Sequence, residues 1–312
     1  MRRLIFATRS GAARAAAGAA GAAALSALPT AAVAQWVPGR DLFDLPLGTL
    51  AEAPALASLA GVGLWNPAAI ELPGGARGRL GVAALRTAAE QGISAQLVGG
   101  AVAVRGGITA GLSVARASVA DLVRTGNDPQ SLGDISYSTT LLSAMLARRS
   151  PSHVVTGLAL RYRSGVLEGT NRGAVGIDGG VLVDGLLGRD GRVALSSFLW
   201  SPGNRDDERA TYTGAADLRV AGPGAGRELR GGYSYLVTEH GPREHFGFVS
   251  GRYGALLGRV GAARSTTFGQ SRWRLRLGVG VYYARYAVGV AREETGAGLP
   301  ATYQFSLSST IK

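Results

Sequence analysis

The feature that most constrains the fold is an alternation of apolar residues with polar or small residues, repeated in short segments. In Trp273–Tyr282, the odd-numbered positions hold tryptophan, leucine or valine, and the even-numbered positions before Tyr282 hold arginine or glycine. In Thr302–Lys312, tyrosine, phenylalanine, leucine and isoleucine share one face, and threonine, glutamine and serine dominate the other. Because successive side chains of a β-strand point to opposite faces of a sheet, each segment predicts a strand with one apolar face.

About fourteen such segments can be read between turn signals. They span approximately 78–87, 93–104, 107–117, 135–148, 153–166, 172–186, 192–200, 210–220, 227–239, 245–255, 257–266, 271–282, 284–292 and 302–311. A strand of about ten residues, tilted by about 40°, covers roughly 25 Å, the height of the apolar band of an outer-membrane barrel. We therefore expect an all-β fold, a transmembrane antiparallel β-barrel of about 14 strands located in the outer membrane.

The connections between these segments favour the same architecture. Three of the longest, Ser118–Asp134, Ser201–Arg209 and Glu293–Ala301, fall at one end of the predicted barrel. An even number of strands also returns the chain to the end at which the barrel begins. The alternative is a soluble β-sandwich or propeller, in which the apolar faces point inward and the strands are shorter. Aromatic residues near segment ends, such as Trp200 and Tyr212, favour the membrane barrel.

Residues 1–34 have the composition of a secretory signal peptide. Arginines without any acidic residue precede an alanine-rich apolar stretch, which ends in Ala32-Val33-Ala34. This small-x-small pattern predicts cleavage before Gln35 and export of the chain. An uncleaved membrane anchor is the alternative. Loss of the peptide removes four arginines and takes the formal net charge from +12 to +8.

The composition excludes several function classes. The chain has no cysteine, which excludes disulfide frameworks, thiolate metal sites and cysteine nucleophiles. Its basic charge is spread along the chain and, in an exported protein, does not point to nucleic acid as a partner. Among the histidines His153, His240 and His245, none has the neighbours that zinc binding or catalysis requires. We expect no enzyme activity, metal or cofactor, and we expect the acidic cluster Asp206–Glu208 to be solvated within its loop.

Residues 35–77 differ in character from the strands of 78–312, because they are rich in leucine, alanine and proline without alternation. This segment contains Trp65-Asn66-Pro67-Ala68, in which the Asn-Pro pair predicts a turn. On the residues alone, a plug that folds into the barrel and an ordinary helix stop after Ala51–Leu59 both remain open.

The Trp65–Ala68 motif resembles the Y/W-N-P-A-G/A-L/I signature of the PorV/PorQ family of outer-membrane proteins, which is related to the long-chain fatty-acid transporters of the FadL superfamily. Gly157–Tyr162, Ala174–Gly180 and Gly191–Gly203 are similar in order and spacing to middle strands of that family, and the last two strands resemble its closing hairpin. The glycine-rich run expected before the motif is replaced by Leu45–Leu50. The resemblance implies that residues 35–77 form a plug or hatch inside the barrel or across its periplasmic mouth.

Charged residues on the polar faces of the strands are predicted to point into the lumen. They are Arg161, Arg163, Asp178, Asp184, Arg230, Arg274 and Arg276. Charges in this position have to be solvated or paired. Two interpretations remain open, a charged pathway for a solute and an arginine–carboxylate network that holds the plug to the wall.

Two functions of different classes follow from the resemblance. The first is passage of a hydrophobic small molecule across the outer membrane, with capture in an outer pocket, movement of the plug and exit through a lateral gap. The second is a non-transporting partner barrel of a type IX-like secretion system, which holds exported client proteins at the cell surface through loops 118–134 and 201–210. Expected partners are outer-membrane lipid, the outer-membrane assembly machinery, and either a hydrophobic ligand or a client protein.

Overall fold

A computed structural model of the chain describes residues 37–312, except 58–59, 73, 126–130, 187–189, 202–207, 225, 268 and 296–300; the predicted signal peptide 1–34 lies outside the described residues. Sixteen strands are present in this part of the chain. They are β1 (Gly78–Arg86), β2 (Ile93–Ala103), β3 (Ile108–Val119), β4 (Val123–Thr125), β5 (Ser131–Asp134), β6 (Tyr137–Arg149), β7 (Val154–Leu167), β8 (Thr170–Gly185), β9 (Gly191–Phe198), β10 (Thr211–Gly224), β11 (Arg227–Thr238), β12 (Arg243–Tyr253), β13 (Leu256–Thr267), β14 (Gln270–Tyr283), β15 (Tyr286–Thr295) and β16 (Thr302–Ile311).

Fourteen of these strands form a closed antiparallel barrel, which confirms the predicted fold class. Each barrel strand pairs with its neighbour in sequence, and β1 pairs with β16 in a register that runs from Gly78↔Ile311 to Arg86↔Tyr303. Closure leaves the barrel sheet without an unpaired edge. The short hairpin β4–β5 was not predicted; it lies in the link between β3 and β6, where three- and four-residue strands are too short to show alternation.

The barrel has two distinct ends. We call the end at which β1 begins and β16 finishes the terminal end; its links, such as 254–255 and 284–285, are short. We call the opposite end the loop end; it carries the long links 120–136 and 199–210.

The alternation predicted from the sequence separates an outer face from an inner face. Leu275 and Leu277 of β14 are exposed on the outer face, whereas Arg276 between them is fully buried inside. Large apolar side chains are exposed around the barrel, and Leu112 and Val279 reach 68% exposure. A contiguous apolar outer face of this kind is stable only against lipid. No described helix is long and apolar enough to cross a membrane.

The core of the protein lies inside the barrel and is formed largely by residues 37–72, which we call the N-terminal segment. Where the segment is described, its regular structure consists of three short 3-10 helices, Asp41–Asp44, Pro54–Leu56 and Pro67–Ile70. Leu50, Leu64 and other apolar side chains of the segment pack with small inward-facing residues of the wall. Alanine and glycine at these wall positions leave the room that the segment fills.

Candidate functional site

The N-terminal segment runs through the interior from the loop end to the terminal end. At the loop end, the Arg163 guanidinium donates to the Val37 carbonyl (2.8 Å), and the Gly39 amide donates to the Tyr137 hydroxyl (3.1 Å). At the terminal end, Glu71 pairs with Arg149, the last residue of β6 (2.6 Å). The segment therefore spans the height of the barrel.

Glycines of the wall allow the backbone of the segment to approach closely. A Cβ atom at Gly157 would overlap the Pro67–Ala68 peptide, and one at Gly165 would overlap the Pro38 carbonyl. At Gly180, a Cβ would overlap Oδ1 of Asn66 and lie 3.0 Å from Cδ of Pro67. Glycine is the residue that permits such an approach, so these wall positions and the segment fit each other.

The Trp65–Ala68 motif is buried at the centre of these contacts. Nε1 of Trp65 donates to the Leu47 carbonyl (3.0 Å), and the Ser196 hydroxyl of β9 donates to the Trp65 carbonyl (2.7 Å). Asn66 has an extended backbone, as its position before proline requires, and its Oδ1 accepts from the Ala68 amide (2.9 Å). The Asn66 side chain therefore caps the helix Pro67–Ile70. It also donates to the Ala55 carbonyl (2.8 Å), so the motif ties two parts of the segment together.

Two of the predicted lumen charges form buried contacts with the segment. Arg161 pairs with Asp178 of β8 and donates to the Leu64 carbonyl of the segment (2.7 Å). Arg163 pairs with Glu208 and donates to the Pro38 carbonyl (2.6 Å). Glu208 is therefore buried beside Arg163 rather than solvated within its loop, which corrects the expectation for this residue; Asp206 and Asp207 lie outside the described residues.

Arg274 and Arg276 belong to a network confined to the barrel wall. Both contact Glu244 of β12 and Glu293 of β15, with Arg276 to Glu293 at 2.6 Å.

Arg230 belongs to a second group of charges within the wall. It pairs with Asp217 (2.7 Å), which also pairs with Arg192.

Oδ2 of Asp184 lies 2.9 Å from Nη2 of Arg149, and the same arginine pairs with Glu71 of the segment. Asp184 is therefore linked to the segment through Arg149. Of the predicted charges, those on β7 and β8 contact the segment, directly or through such a partner, whereas those on β11 and β14 pair within the wall.

A cavity of about 300 Å³ lies at the loop end, between the N-terminal segment and the wall. Its apolar lining comprises Leu42, Leu45, Pro46, Trp65, Ile93 and Leu236, together with two further prolines. Polar groups of Asp41, Asp44, Glu244, Ser265 and Arg274 also line it. Apolar walls with a few polar groups are typical of sites that bind small molecules.

The wall also has a break in strand pairing, between β8 and β9. β8 and β9 are paired only from Gly180↔Ser196 to Asp184↔Arg192, although β8 extends ten residues further towards the loop end. There, the Ile177 amide donates to the Trp200 carbonyl (2.8 Å), and Phe198 and Leu199 are both buried. We call this region the β8–β9 break.

Phe198 connects the break with the cavity. Its ring lies 4.7 Å from the Trp65 ring, centroid to centroid, and the Arg161 guanidinium lies 5.0 Å from its centroid. The Asp178 carboxylate that pairs with Arg161 also accepts from the Trp200 amide (3.1 Å). The predicted residues Trp65 of the segment and Arg161 and Asp178 of the wall thus meet near Phe198.

Several residues of this site were not predicted. Phe198, the last residue of β9, and Leu199, which follows it, depart from the alternation, because two consecutive bulky residues are buried; this irregularity is visible in the sequence. The pair Glu52–Arg259 (2.5 Å), which joins the segment to β13, has no local signal because its members lie far apart in sequence.

The described residues contain no cluster of three or more histidine, cysteine or carboxylate side chains able to hold a metal ion.

No family model matches the sequence, and neither does any curated protein. Among solved structures, CymD, a monoaromatic hydrocarbon channel, is similar with a TM-score of 0.54 at 10% identity, over 83% of this chain and 97% of that chain. Pseudomonas putida OprB has a TM-score of 0.38 at 8% identity over 76% of this chain and 91% of its own. KdgM porin has a TM-score of 0.37 at 7% identity over 75% of this chain and 99% of its own.

The class of protein that the fold defines is the transmembrane β-barrel. The likeness to CymD extends over nearly the whole of that channel and concerns the fold alone.

Proposed function

We propose that this chain is an outer-membrane barrel that takes up small, largely apolar molecules from the loop end, with the N-terminal segment as its internal plug. The observation that carries the proposal is the loop-end cavity, which has a mainly apolar lining and lies between the segment and the wall. In this orientation, the loop end faces the outside of the cell and the terminal end faces the periplasm. The likeness of fold to a hydrocarbon channel supports the proposal, as does the PorV/PorQ and FadL-like character of Trp65–Ala68.

The contacts of the segment support its role as a plug. Arginines of the wall hold it through ion pairs or hydrogen bonds at both ends and in the middle: Arg163, Arg161, Arg259 and Arg149. A molecule captured in the cavity meets this segment before it meets the terminal end. Straight passage down the barrel therefore requires the segment to move.

The β8–β9 break supports a lateral exit as the second route. Its inner surface is formed by Phe198 and Leu199, and Phe198 packs on Trp65 of the cavity. Displacement of the Trp65 and Phe198 rings would connect the cavity with the region where β8 and β9 are unpaired. An apolar molecule that leaves here enters lipid and avoids the buried charges further down the lumen.

Uptake of radiolabelled ethylbenzene by cells that carry the barrel tests this function. Cells with the wild-type barrel should accumulate the label faster than cells without it, and Leu236→Trp should slow accumulation because the larger side chain fills the cavity. Leu229→Trp is the matched control, because Leu229 lies on the same strand but is exposed on the outer face. Equal accumulation with both variants would contradict capture in this cavity.

A pull-down from detergent-solubilised outer membrane tests the alternative, a partner barrel of a type IX-like secretion system. If exported proteins are recovered with the barrel, and are no longer recovered when loops 118–134 and 201–210 are shortened, the secretion role is supported and the uptake proposal is wrong. Recovery of the barrel with the outer-membrane fraction tests its location in the same experiment.

A further inference from the structure

The charges around the loop-end cavity are unequal in sign. Three carboxylates line it, Asp41, Asp44 and Glu244, whereas Arg274 is the one basic side chain in its described lining. The availability of each group therefore decides what polar ligand the cavity accepts.

Arg274 is already engaged by carboxylates of the wall. Its guanidinium pairs with Glu293 (3.0 Å) and with Glu244. Its Nε atom is buried, so a ligand in the cavity does not reach that donor. A ligand carboxylate would have to compete with two protein carboxylates for this arginine.

Asp44, unlike Arg274, has an oxygen atom that is available to a ligand. Its Oδ1 accepts from Arg40 (3.1 Å), whose other donors bind the Arg209 carbonyl (2.9 Å) and the Thr211 hydroxyl (2.6 Å). Arg40 is buried behind Asp44, with 7% of its side chain exposed, whereas 29% of the Asp44 side chain is exposed. The hydrogen bonds among the described residues leave Oδ2 of Asp44 without a donor. An acceptor therefore remains available in the lining.

Resting on the proposed function, we infer that the cavity selects molecules with an apolar body and one cationic or hydrogen-bond-donating group, which binds Asp44, and that it discriminates against carboxylates. The apolar body packs on Leu42, Leu45 and Trp65. A carboxylate in the same place faces Asp41 and Asp44, and these like charges repel it. This selectivity is set by charge and not by size.

Calorimetric titration of the detergent-solubilised barrel with four ligands of one ring type tests the inference. The ligands are ethylbenzene, 2-phenylethanol, 2-phenylethylamine and phenylacetate, which share the apolar body and differ in the polar group. We expect the amine to bind about tenfold or more tighter than phenylacetate, since hydrogen bonds to charged groups are among the stronger ones. The alcohol should lie between these two.

Asp44→Asn should bring the affinities for amine and phenylacetate close together and leave that for ethylbenzene unchanged. Glu239→Gln is the matched control, because it removes one negative charge at the loop end outside the cavity. Asp41→Asn is a second variant, which removes another carboxylate of the cavity lining. The different migration of heated and unheated samples in a detergent gel checks that each variant is folded. If phenylacetate binds as tightly as the amine, or if Asp44→Asn leaves their ratio unchanged, the inference is overturned while the uptake proposal stands. If none of the four ligands binds, both fall.

Discussion

Gly180→Ala is expected to loosen the N-terminal segment from the wall without disrupting the barrel. Gly180 points inward from β8, and the added methyl group would overlap Oδ1 of Asn66 and lie 3.0 Å from Cδ of Pro67. The overlap can be relieved either by a shift of the strand or by displacement of the Asn66 side chain. In its present place, this side chain accepts from the Ala68 amide (2.9 Å) and donates to the Ala55 carbonyl (2.8 Å).

The magnitude follows from these two routes of relief. Overpacking of a well-packed interior costs about 1–3 kcal/mol. Two lost hydrogen bonds, at about 0.5–1.5 kcal/mol each, cost a similar amount. The free energy that holds the segment in place should therefore fall by about 1–3 kcal/mol, which raises the fraction of undocked segment by about 5- to 150-fold.

The absence of cysteine makes this fraction measurable. Thr49 is fully buried in the segment, so Thr49→Cys introduces a single thiol that a soluble maleimide reaches only when the segment undocks. The labelling rate in Gly180→Ala should exceed that in the parent by the same factor. Gly179→Ala is the control, since Gly179 is the preceding residue and an added Cβ there meets no atom within 4 Å. Equal rates in all three proteins would refute the close fit between Gly180 and Asn66.

Three further results are expected. Asp178→Asn should lower the free energy of unfolding in urea by about 3–5 kcal/mol, because the Arg161 charge is left buried without its partner. Asp178→Leu combined with Arg161→Met should recover most of this loss, because neither charge then remains buried. Equal unfolding midpoints for the parent and both variants would contradict this prediction. Glu71→Gln should raise labelling at position 49 by less than about fivefold, because the pair with Arg149 is partly exposed and worth about 1 kcal/mol or less. This effect should fade at high salt, and a salt-independent effect would indicate a loss of packing instead. Unheated protein should migrate differently from heated protein in detergent gels and should resist extraction by salt, whereas identical migration would count against a closed membrane barrel.

The strands could be predicted because their signal is local. In β14, the alternation of Leu275 and Leu277 with Arg274 and Arg276 fixes both the element and its inner face within a few residues. The predicted strand positions differ from the observed ones only at their ends, where pairing depends on neighbouring strands rather than on the alternation itself.

The path of the N-terminal segment could not be predicted from its residues, because contacts distant in sequence determine it. Arg40 and Thr211 are 171 positions apart, and nothing in either neighbourhood indicates that they meet. The burial of Glu208 has the same cause, since its partner Arg163 lies on another strand. The β8–β9 break is different, because the consecutive apolar residues Phe198 and Leu199 depart visibly from the pattern of the strand.

The direction of the N-terminal segment changes the topology of the whole chain. A barrel with an even number of strands returns the chain to its starting side, but the segment adds one more crossing, so Val37 and Ile311 lie at opposite ends. Because β1 pairs with β16, the closed sheet surrounds the segment on all sides, so residues 37–72 cannot leave the lumen sideways unless two paired strands separate.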